Sequence, residues 1–153
     1  MTTRPTPAAA RPSPAGLACA LALAAWLGIQ GWAGSAETVQ PIRFARGASS
    51  AVVRGAVVRG ERALYALEAR QGQRLSLRIA SPEGNAVFQL YAPGARPETR
   101  DAILGIIGEA LPGAGEGDDA VRWTGTLPRS GAYLLVLGST RGNATYRLDV
   151  AVR

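Results

Sequence analysis

The chain contains no histidine, its 17 basic residues are all arginine, and its single cysteine, Cys19, sits near the start. Without histidine or a later thiol there is no Ser-His or Cys-His pair to activate a nucleophile. Nor is there a nitrogen and sulfur ligand set of the kind zinc or copper takes. One cysteine makes no internal disulfide, so the fold must rest on a buried apolar core, which a chain of this length can supply. Aromatics are sparse, at 6%, and do not interleave with the arginines, which argues against a nucleic-acid partner. Long apolar runs are scarce too. The main one, residues 17–29, is short for a membrane span and suits the core of a secretory signal.

That run follows a basic, proline-rich opening with Arg4 and Arg11, and the small residues Gly34 and Ala36 stand three and one before a cleavage point. Residues 1–36 are therefore expected to be a signal peptide and residues 37–153 a single exported domain. No Arg-Arg pair precedes the run, which favours Sec over twin-arginine export. Cys19 comes before most of the run rather than after it, unlike a lipidation site. With Arg4 and Arg11 removed, 15 arginines face 11 carboxylates, a net +4. Nothing then holds the mature chain in a membrane, and its scattered arginines imply a weak, general attraction to anionic envelope components.

What the mature sequence has in abundance is period-two alternation. Residues 132–138 set Tyr133, Leu135 and Leu137 on one face and Leu134 and Val136 on the other, so this strand is apolar on both sides and should be central. The last strand alternates Tyr146, Leu148, Val150 and Val152 with Arg147, Asp149, Ala151 and Arg153, so one of its faces is wet. Residues 64–69 and 73–80 read as a hairpin through Arg70-Gln71-Gly72, and residues 85–91 and 121–127 as further strands. Ala51-Val52-Val53-Arg54-Gly55 is repeated at once as Ala56-Val57-Val58-Arg59-Gly60, a chance duplication in a strand that Gly55 is expected to bulge. Ile103, Leu104, Ile106, Ile107 and Leu111 fit a short helix or apolar loop near 101–111, with Asp101 as its N-cap. Seven or eight short strands with turn residues between them predict an all-β, antiparallel sandwich of jelly-roll type. The segment 95–120 would cross between its sheets.

Two loops carry the polar candidates. Residues 139–143 join the two clearest strands at one end of the sandwich, which makes Thr140, Arg141 and Asn143 the candidate partner-binding residues. Glu116, Asp118 and Asp119 are close enough in sequence to offer oxygen ligands to calcium, although the spacing is not that of an EF-hand and an exposed acidic loop explains them as well. Neither a catalytic residue nor a cofactor is indicated.

A set of spaced residues then carries a family resemblance. Phe44-x-x-Gly47-x-Ser49-Ser50-Ala51, Ala69-x-x-Gly72-Gln73, Asn85-Ala86-x-Phe88, Leu127-Pro128-x-Ser130-Gly131-x-Tyr133, Thr140-Arg141-x-Asn143-Ala144 and Tyr146-x-Leu148-x-Val150 occur in that order. Together they resemble the bacterial pre-peptidase C-terminal-like β-sandwich domain and, more narrowly, the periplasmic inhibitors of goose-type lysozyme. The resemblance spans residues 42–152. It implies a cofactor-free, non-enzymatic envelope protein whose partner is a goose-type lysozyme and whose Arg141 matches an arginine used in binding. The other reading is an accessory or adhesion module that binds cell-wall polymer or another envelope protein. The loop after Arg141 is shorter than the family's and lacks its second arginine, and Glu61 stands where the family has tyrosine.

Overall fold

The computed structural model describes residues 38–153, so the expected signal peptide, residues 1–36, lies outside the described residues. The strands are β1 (Gln40–Pro41), β2 (Ser50–Val57), β3 (Ala63–Ala69), β4 (Arg74–Ala80), β5 (Ala86–Tyr91), β6 (Arg96–Arg100), β7 (Ile103–Ile107), β8 (Arg122–Thr126), β9 (Gly131–Ser139) and β10 (Ala144–Val152). One sheet has the order β1-β3-β9-β5 and the other β2-β10-β4-β8, while β6 and β7 form a separate hairpin. All pairings are antiparallel except β1 with β3. The architecture is the expected all-β sandwich, with the short β1 and the β6–β7 hairpin taking the strand number above eight.

The alternation places the core. Leu67 of β3, Leu75 of β4, Phe88 and Leu90 of β5, Tyr133, Leu135 and Leu137 of β9 and Leu148 of β10 are fully buried between the sheets. Each such side chain contributes about 1.5–3 kcal/mol of transfer free energy. β9 is central, and its other face, Leu134 and Val136, is buried as well. Leu64 and Tyr91 extend that second apolar surface, and Leu104, Ile106, Ala95, Ala110 and Val39 pack onto it. The hairpin therefore covers the outside of the β9 sheet.

Three expectations are corrected. Residues 101–111 hold no helix. Asp101 and Ala102 both have positive φ, 51° and 62°, as the two central residues of a tight hairpin turn require, so Asp101 turns the chain instead of capping a helix. Leu104 and Ile106 face inward while Ile103 and Ile107 are exposed, which is strand periodicity; Gly105 and the isoleucines weaken any helix. Second, β3 and β4 do not pair: β3 lies against β9 and β4 against β10 and β8. The turn at 70–73, closed by the Arg70 amide donating to Gln73 Oε1 at 2.7 Å, carries the chain across the core. Third, Gly55 makes no bulge. The β2–β10 register runs unbroken from Val57 opposite Ala144 to Ser50 opposite Ala151.

The tyrosines lock the layers. Tyr133 Oη donates to the Arg129 carbonyl at 2.6 Å, fixing the turn before its own strand. Tyr65 and Tyr146, one from each sheet, share a buried hydroxyl–hydroxyl hydrogen bond of 2.7 Å. Burial, then the bond to Tyr65, pushes the Tyr146 phenol well above its ordinary value. A phenol raised on folding stabilises the native state fully below the unfolded value of about 10 and loses that contribution as pH climbs through the folded value. Stability should therefore hold steady to about pH 10 and fall above it. Tyr65→Phe, which orphans the Tyr146 hydroxyl, should cost about 1–3 kcal/mol, and Tyr65→Phe with Tyr146→Phe less than the two single costs added. Urea unfolding of the three variants at pH 7 and pH 11 measures both effects.

Candidate functional site

The strand registers bring one set of connections to the same end of the sandwich. β10 begins at Ala144 opposite the last residue of β2, Val57, and β9 ends at Ser139 opposite the first residue of β5, Ala86. The loops 58–62, 81–85 and 139–143 therefore share one rim. What knits them together is Asn85, the one buried polar residue among those described, at 3% exposure. Its Nδ2 donates to the carbonyls of Arg141 (2.5 Å) and Asn143 (2.9 Å), and its own carbonyl accepts from the Thr140 amide at 2.9 Å. Ser139 Oγ donates across the loop to the Gly142 carbonyl at 2.6 Å, and Gly142 takes a φ of 56°, which glycine adopts without strain.

Within this frame the three candidate residues have different positions. Asn143 Oδ1 accepts the Arg59 amide at 3.0 Å, tying the loop to 58–62, and the Thr140 hydroxyl lies 3.5 Å from the Asn85 carbonyl. Both side chains thus serve the loop's own conformation. Arg141 is exposed; its guanidinium makes one long bond, to the Glu83 carbonyl at 3.4 Å, and no ion pair among the described residues. Its backbone is clamped while its guanidinium is held by no ion pair among the described residues. The neighbouring Glu83 carboxylate is engaged elsewhere: Ser81 Oγ donates to it at 2.6 Å and the Thr145 amide at 3.3 Å. The Ser81 bond and then backbone amides hold it below the usual carboxylate range, so it stays charged at neutral pH.

Beside the loop runs a polar cleft of about 310 Å³ lined by Glu61, Arg62, Gln89, Glu116, Asp119 and Thr140. The acidic loop is therefore spatially next to the 139–143 loop. Asp118 Oδ2 accepts the Gly115 amide at 2.7 Å, and no group of three or more His, Cys, Asp or Glu among the described residues is arranged to hold a metal ion. The calcium reading of Glu116, Asp118 and Asp119 gains nothing from this geometry. Asn85, Glu83 and Arg59 were not among the sequence candidates. Asn85 follows the turn Ser81-Pro82-Glu83-Gly84 and directly precedes an apolar strand, a position whose local sequence does not distinguish a solvated side chain from one bonded to distant carbonyls.

Asn85→Ala is expected to leave two carbonyls without their donor and to lower stability by about 2 kcal/mol. Chemical unfolding measures this, and hydrogen exchange should show faster opening at 139–143 than elsewhere.

No protein-family model matches the chain, and no curated protein matches it. Solved structures do. Over 76% of its length the chain is similar to PliG of Aeromonas hydrophila, a periplasmic lysozyme inhibitor of g-type lysozyme, with 32% identity, 96% of that chain covered and a TM-score of 0.57. PliG of Salmonella Typhimurium, described in the same terms, shares 22% identity over 76% of this chain and 100% of its own, with a TM-score of 0.52. A PliG mutant from Escherichia coli shares 22% identity over 74% and 96% of the two chains, with a TM-score of 0.51.

Proposed function

We propose, since this chain belongs to the family of the PliG periplasmic inhibitors of g-type lysozyme, that it binds a g-type lysozyme and closes the enzyme's substrate cleft with the 139–143 loop. It acts by occlusion, without catalysis. The observation that carries this reading is Arg141, an exposed guanidinium with no ion-pair partner among the described residues, on a loop whose backbone is pinned by the buried Asn85. Glycosidases commonly flank the scissile bond with two carboxylates. A guanidinium entering such a cleft can form a two-pronged, charge-assisted pair with one of them, which an ammonium cannot match. Because the loop is already held, little ordering entropy opposes binding.

Lysis of cell walls by a purified g-type lysozyme, with and without the protein, tests the proposal. Lysis should stop near a stoichiometric ratio, and undiminished lysis at micromolar excess would remove the role. Retention on peptidoglycan with no effect on the enzyme would assign the chain to wall binding instead.

The same reading places the protein in the periplasm after removal of residues 1–36. N-terminal sequencing of the exported form should begin at Glu37. A membrane-retained chain with its leader intact would contradict this.

A further inference from the structure

The β10 sheet differs from its partner in what lies outside it. The β9 sheet has the β6–β7 hairpin on its outer surface, whereas the outer surface of β2-β10-β4-β8 has exposed Arg54, Arg74, Arg78, Arg122 and Arg147. Of the chain's 11 carboxylates, only Asp149 sits on these strands. Two of the cross-strand pairs set like charges directly opposite: Arg54 faces Arg147, and Arg78 faces Arg122. Such pairs destabilise a sheet. Asp149 pairs with Arg147, accepting from its Nε at 3.0 Å and lying 2.9 Å from its Nη2, and stands directly opposite Arg78 in the β10–β4 register, which leaves one carboxylate among five arginines.

Arg54 with Arg147 and Arg78 with Arg122 form two staggered rows over four strands, and Arg74 stands farther along β4, in a patch roughly 15 Å across at the usual strand spacing. A shallow groove of about 510 Å³ crosses it, with Ser50, Ser76 and Thr124 adding hydroxyls and Val52 half exposed. The guanidiniums are dispersed in a plane and do not converge on one point. That arrangement suits many anions spread over a flat surface better than one small anion in solution. Interleaved aromatics, which a nucleic-acid strand would stack on, are absent from these four strands except Trp123 and Tyr146, and both face inward into the core.

We propose that the outer face of the β10 sheet docks on a bilayer rich in anionic phospholipid, its arginines forming charge-assisted hydrogen bonds to headgroup phosphates. The 139–143 loop lies beyond the end of β10, at the edge of this face, and remains free to meet a protein partner.

Co-sedimentation of the exported protein with vesicles tests this. Vesicles of phosphatidylglycerol and phosphatidylcholine should carry the protein down at low salt and release it near 1 M salt, where screening is short-ranged; phosphatidylcholine alone should not bind. The variant Arg54→Gln/Arg78→Gln/Arg122→Gln, its fold checked by circular dichroism, should bind roughly a hundredfold more weakly, at about fivefold per arginine. Its effect on lysozyme should match the wild type, so the two proposals fail separately. Equal binding to both vesicle types, or undiminished binding by the variant, would overturn the inference. So would soluble polyphosphate bound as tightly as vesicles, which would assign the face to a polyanion in solution.

Discussion

Arg141→Ala is expected to raise the protein concentration needed to halve lysis by a g-type lysozyme roughly thirtyfold or more, because truncating one partner of a buried interfacial charge pair costs about 2–5 kcal/mol. Stability should not change. The side chain's one intramolecular bond is long, and the loop is held through backbone carbonyls that the substitution leaves in place. Arg141→Lys should fall between the two, keeping the charge but losing the planar fork. A thermal transition that moves together with inhibition would mean that the residue supports the loop. Undiminished inhibition by Arg141→Ala would mean that another part of the rim enters the cleft.

Gly55→Val should strongly destabilise the β10 sheet. A Cβ built at Gly55 would come within 2.7 Å of Tyr146 Cζ, and nearer still to its hydroxyl. The ring cannot swing away, since it is buried and its hydroxyl is bonded to Tyr65 across the core. Overpacking and loss of that bond together cost about 3 kcal/mol, a fall in Tm of roughly 10 °C. The clash has a test of its own. In a Tyr146→Leu background the cost of Gly55→Ala should shrink by at least half, whereas an unchanged cost would place the effect in the strand backbone.

Gly55 also shows where local sequence stops being informative. The two copies of Ala-Val-Val-Arg-Gly are identical, yet Gly55 lies in the middle of β2 beneath an aromatic ring, and Gly60 lies in the following turn with a φ of 84°. Val57 is buried at 4% exposure, while Val52, its counterpart in the first copy, is 49% exposed. The odd length of the repeat sets the two valines on opposite faces of β2, and only the packing of the sheets decides which face is the core. The same limit explains β3 and β4: alternation says which face of each strand is apolar, but a hairpin and a crossing between layers bury the same residues. The 101–111 segment was ambiguous because its apolar residues satisfy both periods. Its outcome depended on the apolar outer face of β9, against which an inward Leu104 and Ile106 can pack.

By contrast, β9 and β10 were legible from the start. Two apolar faces on one strand require two packing partners, and β9 has them in the core and in the hairpin. A strict alternation with arginine requires one core face and one wet face, as in β10. At the rim, residues 139–143 stood out because a polar loop between two strong strands has few alternatives. The role of Asn85 did not, because a turn-adjacent asparagine reads alike whether it faces water or, as here, two carbonyls 56 and 58 residues away in sequence.

Occupation of the enzyme's cleft is most directly tested by competition. The protein is titrated into a g-type lysozyme by calorimetry, with and without a saturating peptidoglycan oligosaccharide. Cleft binding predicts an apparent Kd that rises in proportion to the oligosaccharide concentration; a Kd unaffected by the oligosaccharide would place the contact outside the cleft and contradict the account.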